Sequence, residues 1–178
     1  MTRILASLLL IFSAFNLFAQ QKIAYTAYTD PKEKVSIKYP ATWESKPNSA
    51  VSDKDVKGVF MFMRRYEEQG QKFRENINLV VGPAQDLYLI EYLADARTKM
   101  KQSMEGFKEL KSDYIKINGL DFVRMVYEFN NSQLVIKSVL YLTVHNDKAY
   151  SLNCTALNTT FDKYYPLFET MAKSFKIK

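Results

Sequence analysis

Alternating hydrophobic and polar residues near the start of this chain predict a β-hairpin. Residues 24–30 and 35–39 are rich in Tyr, Thr and Val, which favour strands. Pro31 lies between the two runs, where its fixed φ angle favours a turn. The alternation then stops, and residues 45–57 combine proline, asparagine, serine and charges in a pattern typical of a surface loop.

The next two strands are predicted by apolar residues at every second position. Residues 59–66 carry apolar side chains on both faces, which indicates a strand covered on both sides and therefore helices that flank the sheet. These side chains are Phe60 and Phe62 on one face, and Met61 and Met63 on the other. After a charged connection, Ile77, Leu79 and Val81 point one way from a second strand.

Two amphipathic helices are predicted. In the first, Leu89, Leu93, Ala96 and Met100 recur at helical spacing. Asp86 is the predicted N-cap of this helix, and Gly106 suits its left-handed exit. The second helix carries its apolar stripe from Phe161 to Phe175, with Thr159 or Thr160 as the predicted cap. Pro166 is expected near its first turn or at a kink.

Three strands in succession, 120–129, 134–144 and 148–155, predict an antiparallel meander between the two helices. The joints at 130–132 and 145–147 contain Asn, Ser and Asp, which tolerate the positive φ angles of tight turns. One face of the middle strand is expected to lie in the core. Its other face contains Lys137, Tyr141, Thr143 and His145, and is expected to be partly polar and able to bind a partner.

The first twenty residues predict a secretory signal peptide. Arg3 supplies a cationic start, residues 4–18 form a mostly apolar run, and Ala19 provides the small residue that cleavage requires. We expect cleavage after Ala19 or Gln20, with an uncleaved N-terminal anchor as the alternative. Residues 21–178 then form a single domain without an integral membrane span.

The cysteine content and the net charge disfavour two classes of protein, lipoproteins and nucleic-acid-binding proteins. The one cysteine, Cys154, lies far from the cleavage site, so the chain is predicted to be exported as a soluble periplasmic or extracellular protein and not as a lipoprotein. Cys154 alternates with Tyr150 and Leu152 and is interpreted as a buried small hydrophobe. The net charge of +6 comes from dispersed residues, a pattern that does not favour a nucleic-acid partner.

Candidate reactive groups are few, and we predict no catalytic, cofactor-binding or metal-binding residues. His145 is the only histidine, so with Cys154 it cannot complete a tetrahedral zinc site, and it lies in a predicted turn with no nucleophile motif nearby. Asp53 and Asp55 offer two oxygen donors for calcium, but the remaining ligands of a calcium loop are absent from this segment. Carboxylates at Glu67, Glu68 and Glu75 are interpreted as part of a solvated charged connection.

Aromatic and basic residues near the first strands form a candidate interface. Its members are Tyr39, Trp43, Arg64 and Arg65, which belong to the residue types that dominate binding hot spots. In the alternative interpretation, Trp43 closes one end of the sheet as a core residue.

Several segments together resemble the PsbP-like family. They are residues 35–40 followed by Trp43, residues 76–81 before a helix, Gly119 before a long hairpin, and the final apolar stripe from Phe161 to Phe175. This resemblance implies an α+β fold, an antiparallel β-sheet flanked by helices in an α/β/α sandwich. The family contains lumenal photosystem subunits, exported bacterial proteins and a nuclear Ran-binding relative, mainly accessory or binding proteins, and it supplies no catalytic residues.

Three functions therefore stay open at this point. The first is an exported, non-catalytic accessory protein with an envelope protein as its partner. The second is a carrier of a small ligand or lipid, held between the sheet and the first helix. The third is a hydrolase of unrecognised type, which would require a pocket that groups His145 with a carboxylate and a hydroxyl.

Overall fold

The computed structural model describes residues 23–46, 48, 55–67 and 69–178. The predicted signal peptide, residues 1–20, lies outside this described part of the chain. Strands β1 (Tyr25–Asp30) and β2 (Val35–Pro40) pair as the predicted antiparallel hairpin. The last strand, β10 (Lys176–Ile177), pairs with β2 and completes a three-stranded sheet.

A seven-stranded sheet forms the centre of the fold. Its strands are β3 (Glu44–Lys46), β4 (Lys57–Met63), β5 (Asn76–Pro83), β6 (Lys108–Ile117), β7 (Leu120–Asn131), β8 (Leu134–His145) and β9 (Lys148–Leu157). They lie in the order β3-β4-β5-β9-β8-β7-β6, and every pairing is antiparallel. The predicted meander is confirmed as β7, β8 and β9.

Helices α1 (Leu89–Ser103) and α2 (Asn158–Lys173) pack on opposite faces of this sheet. Neighbouring residues of β7 show the division, because Phe122 belongs to the core beneath α2 whereas Val123 belongs to the core beneath α1. The α2 side also contains the small sheet, including Val35. The α+β class with helices on both sides of an antiparallel sheet is therefore confirmed. Among the described residues, no helix is both long and apolar enough to cross a membrane.

The turns of the meander have the predicted chemistry. Ser132 has a φ angle of 56°, and Asn146 and Asp147 have φ angles of 49° and 54°. Gly106, predicted as the left-handed exit of α1, has a φ angle of 65° but lies two residues after Met104, the extended residue that ends the helix. Small polar residues and glycine tolerate this region of backbone space, so local sequence determines these turns.

The prediction that Asp86 caps α1 is wrong. The helix begins two residues later than a cap at Asp86 requires, and the backbone N–H of Tyr88 donates to the Glu91 carboxylate at 2.8 Å. Asp86 instead has a φ angle of 60°, and its backbone N–H donates to Asp147 Oδ1 at 3.1 Å. A contact with the β8–β9 turn therefore determines the conformation of Asp86.

The predicted start of α2 is also wrong. Leu157 is the residue before the helix, and no side chain caps it. Thr160 uses its hydroxyl in a tertiary contact, donating to Glu75 Oε1 at 3.0 Å. Pro166 lies well inside the helix and not in its first turn. Because proline has no backbone N–H, it cannot donate a hydrogen bond to the carbonyl of Asp162.

Two further differences concern strands. The second face of β8, expected to be partly polar and open, is buried beneath α2, with Val139, Tyr141 and Thr143 exposed by 0, 1 and 2 %. Strand β6 was not predicted, because as an edge strand it exposes large residues such as Tyr114 and lacks a clear hydrophobic alternation. Cys154 is fully buried, as predicted.

Candidate binding surface

Helix α1 covers only part of its face of the large sheet. Beneath it lie β7 and β8 residues such as Met125, Tyr127 and Leu140. Strands β4, β5 and β9 continue the same face with eight half-buried side chains that belong to neither hydrophobic core. We call this surface the open face, and it consists of Met61, Met63, Asn76, Asn78, Val80, Ser151, Asn153 and Thr155.

Strand register places these residues on one face. Met61 lies opposite Asn78, Asn78 lies opposite Asn153, and Asn153 lies opposite Leu140. Directly opposed residues of antiparallel strands point to the same side of the sheet. Because Leu140 packs under α1, the whole row faces the α1 side. Every second residue along β5 and β9 joins it for the same reason.

Hydrogen-bonding capacity remains available in the middle of the open face. The side chain of Asn78 has no hydrogen-bond partner among the described residues. Asn153 has only long contacts, since its Oδ1 accepts from the Tyr127 hydroxyl at 3.4 Å and its Nδ2 donates to the Ser151 carbonyl at 3.5 Å. Both amides can therefore form stronger hydrogen bonds with a ligand.

The open face carries no charged residue, and the charges at its borders are paired. At the β3 border, Glu44 Oε2 lies 3.0 Å from Arg74 Nη1 and 3.2 Å from Lys46 Nζ. Hydrogen bonds from Lys46 and then Arg74 lower the pKa of Glu44. At the α1 border, Lys99 Nζ lies 2.8 Å from Asp95. The eight side chains of the open face are therefore uncharged, whereas at its β3 border two cations share the single carboxylate of Glu44.

A groove of 240 Å³ separates α1 from the open face. Its apolar wall includes Tyr92, Met100 and Leu140, while Ser151 and Asn153 connect it to the open face. Burial raises the pKa of Tyr92, so this side chain is a neutral phenol at physiological pH. The groove offers apolar contact beside the amides.

The structure does not bring the four predicted interface residues together on an exposed surface. Trp43 is only 6 % exposed and packs edge-on against Phe168, which agrees with the alternative interpretation of a core residue. Tyr39 stacks on the buried Phe62 ring at 3.8 Å between centroids. Arg65 is well exposed. An interface role for these residues stays a prediction.

Arg64, the fourth of these residues, anchors the carboxylate of Glu75, which is buried and not solvated as predicted. Its Nε lies 2.6 Å from Glu75 Oε2, and its Nη1 lies 2.7 Å from the exposed carboxylate of Glu67. Thr160 completes the contacts of Glu75 from the start of α2. The guanidinium also lies 5.5 Å from the ring centre of Tyr164. This arrangement ties the end of β4 to α2.

The candidate reactive groups do not form a reactive cluster within the described residues. His145 lines a cavity of 180 Å³ whose other walls are Ile117, Asn118, Leu120, Phe122, Phe175 and Ile177, with no carboxylate or hydroxyl side chain. Burial raises the pKa of the Cys154 thiol, which disfavours the nucleophilic thiolate. The described part of the chain contains no group of three His, Cys, Asp or Glu residues that could hold a metal. Asp53, one of the calcium candidates, lies outside that part.

A cavity of 540 Å³ lies at the end of the sheet near the β1–β2 turn. Glu33 bridges two lysines there, with 2.9 Å from Oε1 to Lys57 and 2.9 Å from Oε2 to Lys148. Hydrogen bonds from Lys148 and then Lys57 lower the pKa of Glu33. The carboxylate is thus engaged in joining the small sheet to β4 and β9.

The prediction that β4 is covered on both sides is wrong, because Met61 and Met63 lie half-buried on the open face. The sequence patterns did not point to the open face, although a signal for it exists. Asn76 and Asn78 alternate with Ile77 and Leu79, and Ser151, Asn153 and Thr155 alternate with buried residues of β9. Such alternation predicts polar outer positions on both strands. It does not show that these positions lie side by side, because β5 and β9 are far apart in the chain and their pairing is a tertiary feature.

Comparison with known proteins finds a matching family and solved structures of the same fold. A family profile described as PsbP matches residues 23–177. The solution structure of cyanobacterial PsbP from Synechocystis has a TM-score of 0.63 at 14 % identity, covering 90 % of this chain and 96 % of that one. No curated protein sequence matches this chain significantly.

Two other solved structures share the fold. LpqN from Mycobacterium tuberculosis, described as involved in cell envelope biogenesis, has a TM-score of 0.59 at 12 % identity, covering 86 % of this chain and 90 % of that one. The Ran-binding protein Mog1p from Saccharomyces cerevisiae has a TM-score of 0.58 at 9 % identity, covering 88 % and 96 %. At these identities the likeness concerns the fold alone.

Proposed function

This chain belongs to the PsbP family, and from that premise we propose that it is an exported, non-catalytic protein that binds a protein of the cell envelope through its open face. The observation that supports the proposal is the neutral, half-buried surface that α1 leaves uncovered, with the Asn78 amide at its centre. Surfaces that combine unpaired polar groups with adaptable apolar side chains such as methionine suit protein contacts.

Two similar folds support different parts of this proposal, one the binding role and the other the place in the envelope. Mog1p is described as a Ran-binding protein, and LpqN is described as involved in cell envelope biogenesis. Neither description assigns a partner to this chain. A role in binding nevertheless agrees with the absence of a reactive cluster among the described residues.

Cross-linking in envelope extract of the native host tests this function. Asn78→Arg places a long cation in the middle of the open face, and Asn131→Arg makes the same change at the exposed end of β7. We expect wild-type protein and Asn131→Arg to capture the same partner, and Asn78→Arg to lose it. Capture of that partner by folded Asn78→Arg at the wild-type level would refute the proposal.

Export is tested by the intact mass of the chain isolated from its host. We expect a mature protein that begins after Ala19 or Gln20, recovered from the periplasmic or extracellular fraction. A chain that retains residues 1–20 and sediments with membranes would instead indicate the uncleaved anchor.

The groove beside α1 favours a second candidate function, transport of a small apolar ligand. Tyr92, Met100, Met104 and Leu140 provide an apolar lining, but the volume of 240 Å³ is below the range of about 300–1,000 Å³ typical of ligand pockets. Native mass spectrometry of protein purified from its host would detect a retained ligand. Repeated observation of the unliganded mass alone would eliminate this candidate.

A further inference from the structure

Asn78 and Asn153 lie directly opposite each other in the centre of the open face. Each side-chain amide presents a hydrogen-bond acceptor beside two donors, which matches the acceptor and donor of a polypeptide backbone. The Cβ atoms of directly opposed residues are about 5 Å apart, so both amides can reach one ligand.

The spacing along β5 also matches an extended polypeptide. Asn76 and Asn78 are two residues apart in one strand, a separation of about 6.7 Å. An extended ligand that runs along β5 presents equivalent backbone groups at the same interval. Its backbone can therefore bond to both asparagines without losing register.

The eight side chains of the open face carry no charge, which favours some classes of ligand over others. The two cations at its β3 border, Arg74 and Lys46, both pair with Glu44. Phosphate-rich lipids and acidic polymers are held by unpaired cations, which this surface does not supply from its floor. A neutral backbone with uncharged side chains is complementary to it.

Apolar side chains of such a ligand also find contacts. Met61 and Met63 lie beside the asparagines on β4, and the apolar wall of the groove lies on the opposite side. Methionine is flexible and polarisable, so it can adapt to different side chains. Because the asparagines bond to backbone groups and the neighbouring apolar side chains can adapt, this surface is suited to bind many related peptide segments and not one particular sequence.

We propose that the open face binds an extended, uncharged polypeptide segment, and that Asn78 and Asn153 hold the backbone of that segment. This inference rests on the proposed function and names the chemistry of the partner. It differs from the addition of a strand at a sheet edge, because the ligand lies on the face and its backbone bonds to side chains.

Selection from a library of seven-residue peptides displayed on phage, with the mature chain as bait, tests the inference. We expect enriched uncharged peptides whose affinity falls about tenfold with Asn78→Ala and with Asn153→Ala, as loss of one well-formed hydrogen bond predicts. Asn131→Ala, at the exposed end of β7, is the matched control and should bind like wild type. Thermal unfolding of each variant verifies that it is folded.

A second measurement separates backbone recognition from other modes of binding. Replacement of single backbone amides of an enriched peptide by esters removes N–H donors and should weaken binding at one or two positions by about tenfold. Failure to enrich any peptide, equal binding by Asn78→Ala, or indifference to every ester would overturn the inference. If envelope cross-linking is still lost with Asn78→Arg in those cases, the partner presents a folded surface, and the proposed function stands without this inference.

Discussion

Glu75 is a carboxylate that is only 2 % exposed, and its two hydrogen-bond partners come from different elements. Arg64 follows β4, whereas Thr160 lies in the first turn of α2. Removing one partner of a buried ion pair is costly, because the remaining charge keeps its desolvation penalty. This residue therefore contributes strongly to how α2 is held on the sheet.

Substitution of Glu75 by Gln is expected to lower the free energy of unfolding by about 3 kcal/mol, since Arg64 loses its buried counter-charge. Glu67→Gln is the matched control, because Glu67 pairs with the same guanidinium but its side chain is 71 % exposed. That change should cost less than about 1 kcal/mol. Urea denaturation measures both changes in the free energy of unfolding. Equal losses would show that the buried pair stabilises the fold no more than the exposed one.

Tyr141 is buried like Glu75, but its polar group is unpaired among the described residues. Its side chain is 1 % exposed, and its hydroxyl has no hydrogen-bond partner within the described protein. Burial raises the pKa of this phenol far above its ordinary value. The phenol is therefore neutral at physiological pH.

Tyr141→Phe is expected to leave the free energy of unfolding unchanged or to raise it by about 1 kcal/mol, because an unpaired buried hydroxyl is removed. Tyr127→Phe provides the comparison, since Tyr127 donates to Asn153 at 3.4 Å and should gain nothing from the change. Thermal denaturation of both variants decides the question. A loss of more than about 1 kcal/mol in Tyr141→Phe would show that the hydroxyl is bonded in solution.

At the scale of elements, the edge strand β6 is held by charge as well as by its backbone ladder. Asp113 forms a two-point contact with Arg124 of β7, at 3.0 and 2.5 Å. Arg124 also reaches Glu169 of α2 at 2.5 Å. Hydrogen bonding to Arg124 lowers the pKa of Asp113. One arginine thus connects β6, β7 and α2.

The lowered pKa predicts a loss of stability in acid. The ion pair stabilises the fold above the ordinary pKa of 3.8, and its contribution is lost as the pH falls through the lower value of the folded state. Asp113→Asn should therefore show a smaller change in unfolding free energy between about pH 6 and about pH 2.5 than wild type, by up to about 1 kcal/mol. Asp162→Asn, at a largely exposed site on α2, should behave like wild type, and an Asp113→Asn profile parallel to wild type would contradict the assignment.

At the scale of the whole molecule, one sheet separates two hydrophobic cores. Trp43 is the only tryptophan and reports on the α2 side, whereas Leu93 of α1 lies in the core on the other side. Because β7 and β8 contribute residues to both cores, we predict that the two sides unfold together as a single domain.

Leu93→Ala tests this coupling. Truncation of a buried leucine should cost about 2–5 kcal/mol, and it should shift the unfolding midpoint seen by Trp43 fluorescence as much as that seen by far-ultraviolet circular dichroism. Separation of the two curves would mean that the α1 side unfolds independently of the α2 side.

Local periodicity was sufficient to predict most of the individual elements. The alternation of Ile77, Leu79 and Val81 and the stripe from Phe161 to Phe175 correspond to β5 and α2 because strand and helix periods are short-range properties. The tight turns and the burial of Cys154 were predictable for the same reason. Strand β6 escaped prediction because an exposed edge strand with charged residues has no dominant apolar face.

By itself, the sequence determined the meander and the two amphipathic helices, since each depends on the preferences of neighbouring residues, and its resemblance to a known family indicated the α+β class. Only the tertiary structure decided which surfaces remain uncovered. Helix α1 lies over β7 and β8 and leaves Asn78 and Asn153 accessible, while α2 buries the face of β8 that contains Tyr141. The distinction has a physical cause: burial depends on the packing of elements that are distant in the chain, and a local pattern cannot specify it.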